Sequence, residues 1–437
     1  MARTLTVTDA YAIMNALVKE ATGQESTLQT ENLSGYISAG ETVLAQGKEN
    51  TLNALSMVLA KTIVAIRPYK AQFNLVQTED AGTYSNRVRK ISFMGKEAQA
   101  TGWYNTDINA RNLYNGRDNT GSSTSGQSAV GTMWEQNKAV PYEVNFGGSY
   151  AWDKSITIYE DQIDMAFRDP AEMARFANGI MERFRNDIEV VKEAENRLAV
   201  LNYIGGAYDL SASATGSCVN LTAAYNTKFG TNLTTAQLQT TYLKDFLAFF
   251  VSYLKVLMKN MKYESADYHV NPSVTQDGTT YTYLPRHTSK ENLRCMLYSP
   301  LFTDAEALVM PEIFNTQYLD IDTQYEDVLF WQNKENPSKV KITPAIPNFS
   351  TGVQGSGDTV TLDYVVGLLY DKDAIMTQYC LDRSITTPLE ARKGYRNIWN
   401  HYRRNAINDF TENHVLLYMA DPAPSSDSSS GSSSSGS

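Results

Sequence analysis

The sequence predicts an α+β protein, and three observations carry this prediction. Two strand patterns, over residues 87–94 and 140–146, flank a long polar tip. A single long helical pattern begins near residue 170, and mixed helix and strand patterns follow it. A chain that combines a hairpin arm, a helical rod and a mixed region in this order falls in the α+β class.

The tip of the predicted hairpin has no capacity to form a core of its own. Residues 115–131 read NGRDNTGSSTSGQSAVG and contain almost nothing to bury. Loops longer than about 15 residues are uncommon in compact domains and are usually functional or disordered. We therefore expect a neighbouring molecule to complete this arm, which indicates assembly before it indicates catalysis.

The segment before the hairpin is predicted to be a helical arm. A short amphipathic helix is expected over residues 9–21, followed by a polar connector over residues 24–47. A second helix, over roughly residues 49–66, ends before Pro68. Whether these helices pack on their own chain or on a neighbour stays open at this point.

The longest helical pattern in the chain predicts a rigid rod. Asp169 can cap it, Pro170 suits its first turn, and Gly205 with Gly206 marks the expected end. At about 1.5 Å per residue the rod would measure roughly 50 Å. We interpret its charged face mainly as solvated, with a subunit contact as the alternative.

The rest of the chain predicts shorter elements of both kinds. The expected elements are a strand over 150–159, a helix over 238–261, a strand over 292–297, a short helix over 304–309, and a strand pair or one bent strand over 359–370. Runs rich in Pro, Gly, Ser and Thr, over 271–287 and 336–357, are expected to be surface loops.

Composition narrows the class of protein. The net charge is −10, whereas a protein that grips duplex DNA usually presents a basic surface. An acidic container could still enclose DNA as cargo. The three cysteines show no CxxC spacing and suit a reducing cytoplasm. The most apolar run covers residues 246–254, far short of the about 20 residues that a membrane-spanning helix needs.

The sequence contains no catalytic, cofactor-binding or metal-binding motif, so we predict no enzyme, no cofactor and no metal site. The four histidines do not pair at helical spacing. The glycine-rich segment 352–357 lacks both the dinucleotide pattern and a P-loop lysine. The acidic residues of segment 320–327 do not match an EF-hand, and we interpret them as a solvated loop, with an adventitious divalent-ion site as the alternative.

One basic and aromatic cluster, within residues 392–404, is a candidate contact surface. Arginines interleaved with aromatic residues can bind nucleic acid through charge and stacking, but a strand with large side chains on both faces also suits a sheet between subunits. We favour subunit contact, with phosphate contact second. Strand alternation puts Arg396, Ile398, Tyr402 and Arg404 on one face and Tyr395, Trp399 and Arg403 on the other.

The order of these elements resembles that of the major capsid proteins of tailed bacteriophages, which have the Hong Kong 97-type fold. The closing segments VVGLLYDKDAIMTQYCLDRS, YRNIWNHYRRNAINDF and HVLLYMADPA are similar to the strand, Asp-Lys-Asp turn, strand, long strand and final hydrophobic strand of that family. The front half, from TIVAIRPYKAQF through the hairpin to DQIDMAF and the long helix, resembles the shell proteins of small short-tailed phages. The resemblance covers about residues 50–421.

This resemblance implies an architecture: an α+β, Hong Kong 97-type capsid fold with an N-terminal arm, an extended E-loop hairpin, a P-domain with a long spine helix, and an A-domain. The implied segments are a helical arm (1–66), the E-loop hairpin with flanking strands (67–160), the P-domain spine helix (161–205), the A-domain with inserted P-domain strands (206–370), closing strands of both domains (371–421) and a flexible Ser/Gly tail (422–437).

The resemblance also implies a function. The expected protein self-assembles as pentamers and hexamers into an icosahedral head, encloses double-stranded DNA without sequence-specific binding, and does not contact a membrane. Scaffolding and portal proteins would be its partners, the host cytoplasm its place of assembly and the virion its destination. An encapsulin-type nanocompartment shell of the same fold, and a soluble enzyme with a non-local active site, are the alternatives. The candidate subunit contacts are Asn115, Arg117, Asp118, Arg396, Trp399, Tyr402, Arg403 and Arg404.

Overall fold

The computed structural model describes residues 11–19 with gaps, 33–45, 73–80 without 74, 87–94, 139–159 without 148 and 149, 170–301 with short gaps, 325–349 and 354–421. The helices are α1 (Leu33–Ala45), α2 (Pro170–Asp209), α3 (Leu221–Phe229), α4 (Thr235–Gln239) and α5 (Leu243–Asn260). The strands are β1 (Gln77–Asp80), β2 (Arg87–Met94), β3 (Val140–Gly147), β4 (Tyr150–Tyr159), β5 (Cys218–Asn220), β6 (Val274–Gln276), β7 (Thr279–Tyr281), β8 (Leu293–Tyr298), β9 (Tyr325–Val328), β10 (Val340–Ile342), β11 (Ala345–Pro347), β12 (Gln354–Ser356), β13 (Val360–Leu362), β14 (Tyr364–Asp371), β15 (Ile375–Thr386), β16 (Tyr395–Asn408) and β17 (His414–Met419). These elements confirm the α+β class. In the described part of the chain, no helix has the length and apolarity to cross a membrane.

The chain divides into two compact units. The first comprises Met1–Arg89, Asn145–Ala199 and Met376–Ile407, and the second comprises Lys90–Val144, Val200–Ile375 and Asn408–Ser437. The first unit contains a four-stranded sheet in the order β1-β15-β16-β4, in which β1 runs parallel to β15 and β16 runs antiparallel to β4. The second unit contains a five-stranded sheet in the order β5-β17-β14-β8-β9.

The centre of the second unit is strand β14. All of its residues except Tyr364 are buried, and its neighbours β8 and β17 are nearly as buried, because apolar side chains cover both faces of the sheet. The pattern predicted over 359–370 is therefore two strands and not one bent strand. The first, β13, pairs with β10, and the second, β14, lies in the five-stranded sheet.

The prediction that the long helix ends at Gly205 and Gly206 is wrong, because α2 continues to Asp209. Both glycines serve close packing instead of helix termination. A Cβ atom on Gly205 would lie 2.5 Å from Cγ2 of Ile342, and one on Gly206 would lie 2.3 Å from the ring of Phe410. Only glycine lets these neighbours approach the helix so closely. Each glycine destabilises the helix by about 1 kcal/mol relative to alanine, but the helix still continues through both.

The polar connector predicted over 24–47 contains a helix, α1, which corrects that prediction. Its Tyr36 is fully buried and meets the ring of Tyr11 edge-on at 5.1 Å, so an aromatic contact outweighs the low helix preference of the Ser and Gly residues nearby. The described positions within 11–19 are helical, as expected. The predicted helices over 49–66 and 304–309 and the tail 422–437 lie outside the described residues.

The strands predicted over 87–94, 140–146, 150–159 and 292–297 are confirmed within one residue. Two other predictions, of one helix and of two surface loops, need correction. The single helix expected over 238–261 is two helices, because the chain leaves the helical path after α4 and restarts at α5. The presumed surface loops contain short strands: β6 pairs with β7, β10 with β13 and β11 with β12.

Candidate functional site

The root of the β2–β3 hairpin has one inward and one outward face. Along β2, Ser92 and Met94 are buried, whereas Ile91 and Phe93 are 47% and 66% exposed. Strand β3 alternates in the same way, with its apolar residues on the more buried side, as the sequence predicts. The hairpin is thus seated by one face and leaves an apolar pair on the other.

An apolar cluster holds the inward face in place. Met94 and Val140 of the hairpin pack with Leu284, and all three side chains are buried. Partly buried residues complete the cluster, namely Tyr142, Val274 and Tyr281. Burying side chains of this size stabilises the seat by about 1.5–3 kcal/mol each.

A network of charges lies beside this cluster. The Lys90 ammonium group forms ion pairs with the carboxylates of Asp409 and Glu412. Arg286 donates from Nη2 to Oγ of Ser92 (2.7 Å), and the same nitrogen lies 3.6 Å from Oε1 of Glu412. Strand β2 and residues far along the chain therefore meet at one partly buried ionic site.

Burial and charge act on these groups in opposite directions. Burial alone would lower the pKa of Lys90, but the carboxylates of Asp409 and Glu412 outweigh it and raise the pKa above its ordinary value. Burial raises the pKa of Glu412, although Lys90 and Arg286 oppose the shift. Burial, helped by the Asp409 carboxylate, raises the pKa of Tyr142 to about 12. Lys90 is therefore held in its charged form.

The turn that receives Lys90 is itself fixed by hydrogen bonds. Residues 409–413 connect β16 to β17, and we refer to them as the 409–413 turn. Oδ1 of Asp409 accepts from N (2.9 Å) and Oγ1 (2.7 Å) of Thr411. Nδ1 of His269 lies 3.0 Å from Oδ1 of Asn413, and its Nε2 lies 2.6 Å from the carbonyl oxygen of Leu284. Burial lowers the pKa of His269, so the ring favours its neutral form. These hydrogen bonds hold the turn in place as an anchor for the hairpin.

The described residues contain no group of three or more His, Cys, Asp or Glu side chains that could hold a metal ion. Burial raises the pKa of the Cys218 and Cys295 thiols to about 12 each, whereas a reactive cysteine needs a lowered value.

Strand β16 carries five of the predicted contact residues, and the structure separates them by face. Arg396, Tyr402 and Arg404 are buried within their own chain. Trp399 is half-buried and Arg403 is exposed on the opposite face. Asn115, Arg117 and Asp118 lie outside the described residues.

On the buried face of β16, Arg404 is paired inside the subunit. Nη1 of Arg404 lies 2.6 Å from Oε2 of Glu195, and Nε1 of Trp152 donates to the other carboxylate oxygen (2.6 Å). The ring of Trp152 also packs against Tyr402 at 5.2 Å. The prediction that Arg396, Tyr402 and Arg404 contact another subunit is therefore corrected. Side chains buried within a single chain are not available at its surface. For Trp399 and Arg403, subunit contact stays a prediction.

The ionic site at the hairpin root is not among the residues predicted from the sequence. The alternation of β2 gives a weak indication of it, because it puts Lys90 on the same face as Ser92 and Met94. A lysine on the inward face of a strand needs a buried acidic partner. Periodicity does not identify that partner, because Asp409 lies 319 positions further along the chain.

Comparison with known proteins gives one family match. The sequence profile of a family described as "Phi29-like phage major capsid protein" matches residues 120–418, more than half of the chain. A search of curated proteins gives no significant match.

Several solved capsid structures resemble the chain weakly. The capsid structure of Staphylococcus phage Andhra is 11% identical, with 80% of this chain and 86% of that chain covered and a TM-score of 0.47. A structure of the head fibre and inner core protein of bacteriophage P68 is 12% identical, with 81% and 86% covered and a TM-score of 0.44. The mature capsid of bacteriophage PhiM1 is 9% identical, with 81% and 88% covered and a TM-score of 0.38. At these identities and TM-scores, structural similarity does not assign the chain to a family. The assignment therefore depends on the family match alone.

Proposed function

The chain belongs to the family of Phi29-like phage major capsid proteins, and from this premise we propose that it self-assembles as pentamers and hexamers into an icosahedral head around double-stranded DNA. A phage shell protein is a component of the virion and acts as one of many subunits. The single observation that carries the proposal is the family match over residues 120–418. The nanocompartment and enzyme alternatives are not favoured by that match.

The hairpin root supports a role in assembly. An arm anchored by Lys90 on one side and exposing Ile91 and Phe93 on the other has a fixed base and two exposed apolar side chains. Exposed apolar residues of this size mark contact surfaces when they cluster. In our proposal the hairpin is the E-loop of the capsid fold and reaches a neighbouring subunit. Heterologous contacts of this kind close into rings when the rotation between subunits allows it.

The remaining domain assignments are part of the same proposal. Helix α2 would be the spine of the P-domain, and the region from residue 206 to about 370 would be the A-domain. Scaffolding and portal proteins would guide assembly in the host cytoplasm, and the protein would have no enzymatic activity. DNA would be enclosed without sequence-specific contacts, which suits a chain with a net charge of −10.

Sedimentation velocity of the purified full-length chain tests this function. We expect a slow species of pentamers, hexamers or free subunits and, alone or with a scaffolding protein, a fast species of shell size. A chain that stays monomeric under all assembly conditions, including co-expression with a scaffolding protein, would contradict the proposal.

A further inference from the structure

One face of the four-stranded sheet in the first unit, which we call the open face, carries several exposed side chains in the described residues. On this face Trp399 of β16 lies opposite Ser155 of β4, and Arg403 lies opposite Ala151. Asp153 is the one acidic residue that β4 places on this face.

Apolar side chains extend the open face to both sides. Ile385 of β15 is 43% exposed. The amide nitrogen of Thr387 donates to the carbonyl oxygen of Asn397 (2.9 Å), and antiparallel counting from this pair places Ile385 opposite Trp399. Tyr159, on the same side of β4 as Ser155, is 48% exposed. The face therefore presents aromatic and aliphatic groups together.

Basic residues border these apolar groups. Arg383 and Arg403 are exposed on the strands, and Arg392 and Lys393 are exposed in the turn between β15 and β16. The carboxylate of Glu390, in the same turn, accepts from the backbone nitrogen of Arg392 (3.1 Å). The patch is basic, whereas the whole chain carries 48 acidic against 38 Lys and Arg residues.

The opposite face of the same sheet does not compensate this charge. Arg404, on the buried face, is paired with Glu195 of α2, which is thereby occupied. The open face thus keeps its positive border.

We propose that this open face, defined by Ile385, Trp399, Arg403 and the 392–393 turn, binds an acidic and partly apolar surface of a second copy of this chain. The inference rests on the proposed shell function and names one of its contact surfaces. Charge complementarity points to a second copy, because every copy is acidic overall and supplies many carboxylates. Trp, Tyr and Arg at the centre of a patch, with charges at its rim, are the composition of protein contact sites.

Charge reversal tests the proposal with a matched control. The variant R392E/R403E changes two exposed cations of the patch, and K244E/K262E changes two exposed lysines elsewhere by the same total charge. Both variants of the full-length chain, and the wild type, are compared by thermal melting, by sedimentation and by binding to a short fluorescent DNA duplex. We expect unchanged melting for all three, normal shells for the wild type and K244E/K262E, and at least about a tenfold loss of shells for R392E/R403E.

A second measurement needs no variant. Because the contact is partly electrostatic, the subunit concentration at which wild-type shells form should rise between low salt and about 1 M salt. Assembly that does not respond to salt would overturn the proposal, as would an R392E/R403E variant that assembles like its control.

Three outcomes separate this inference from the function it rests on. If the wild type forms shells and R392E/R403E also forms them, the inference fails and the shell function stands. If the wild type forms no shells with or without scaffolding protein, both fail. If R392E/R403E assembles normally but loses DNA binding that the wild type shows, the face binds nucleic acid and the proposed occupant is wrong.

Discussion

The Lys90 ammonium group and the Asp409 carboxylate form an ion pair that fastens strand β2 to the 409–413 turn across 319 positions of sequence. This contact fixes the base of a hairpin that exposes Ile91 and Phe93 on its other face. The ion pair stabilises the fold only while both charges are present. Each charge is partly removed from water, so either one would be destabilising without its partner.

Replacing Lys90 by Met should destabilise the protein. The substitution removes the cation that pairs with Asp409 and leaves Glu412 with Arg286 alone, which we expect to lower the free energy of unfolding by about 3 kcal/mol. Urea unfolding followed by circular dichroism measures it. The matched control is Lys154→Met, which removes the more exposed pair with Asp187 and should cost less than about 1 kcal/mol. Equal losses in the two variants would contradict a special role for the hairpin root.

Acidification should weaken the fold through His414. Burial lowers the pKa of His414 to about 4, whereas an unfolded histidine has a pKa near 6.5. Its Nδ1 donates to the carbonyl oxygen of Glu412 (3.0 Å), and its buried Nε2 has no hydrogen-bond partner among the described residues, so a second proton finds no acceptor there. Because the unfolded state then binds more protons, stability should fall as pH drops from about 6.5 towards 4, by up to about 3 kcal/mol.

The variant His414→Gln measures this contribution, since glutamine does not titrate. We expect a flatter dependence of the unfolding free energy on pH between about 6.5 and 4 than in the wild type. The control is His401→Gln, which makes the same substitution at a half-buried position on the open sheet face. The same slope in all three proteins would assign acid sensitivity to other groups.

Replacing Gly206 by Ala should destabilise α2 although alanine is the better helix former. The added Cβ would lie 2.3 Å from the ring of Phe410, which stacks on Tyr203 at 4.8 Å, so the ring pair would have to move. We expect a net loss of about 1–3 kcal/mol in thermal or urea unfolding. For comparison, Gly355→Ala, whose new methyl group would meet nothing closer than 3.9 Å, should change stability by less than about 0.5 kcal/mol.

Deleting the hairpin tip should separate folding from assembly. Residues 115–131 have almost no core-forming side chains, so their replacement by a short Gly/Ser linker should leave the melting temperature unchanged. If the tip reaches a neighbour through Asn115, Arg117 and Asp118, as predicted, the same variant should form shells poorly. A variant that fails to fold would instead place the tip in the core of its own chain.

Elements that depend on local sequence patterns can be predicted from the sequence. Features that depend on contacts with residues far along the chain cannot. Strand β4 is found over the predicted residues 150–159, because its alternation is a local property. The end of α2 was mispredicted, since the same glycines that read as a stop signal serve contacts to Ile342 and Phe410, far along the chain.

The candidate site shows the same division. The sequence reading found the two faces of β16, but it treated Arg404 as a surface residue. Its burial depends on Glu195, which periodicity alone does not pair with it. The ionic seat of Lys90 was missed for the same reason. Polar residues inside a fold are located by their partners, and those partners come from tertiary structure.

Cryo-electron microscopy of particles formed by the full-length chain is the most direct measurement of the central claim. The account predicts closed shells with five-fold and six-fold clusters of subunits, in which each hairpin crosses from its own subunit onto a neighbour. Shells in which every hairpin folds back on its own subunit, or the absence of closed particles with and without a scaffolding protein, would contradict it.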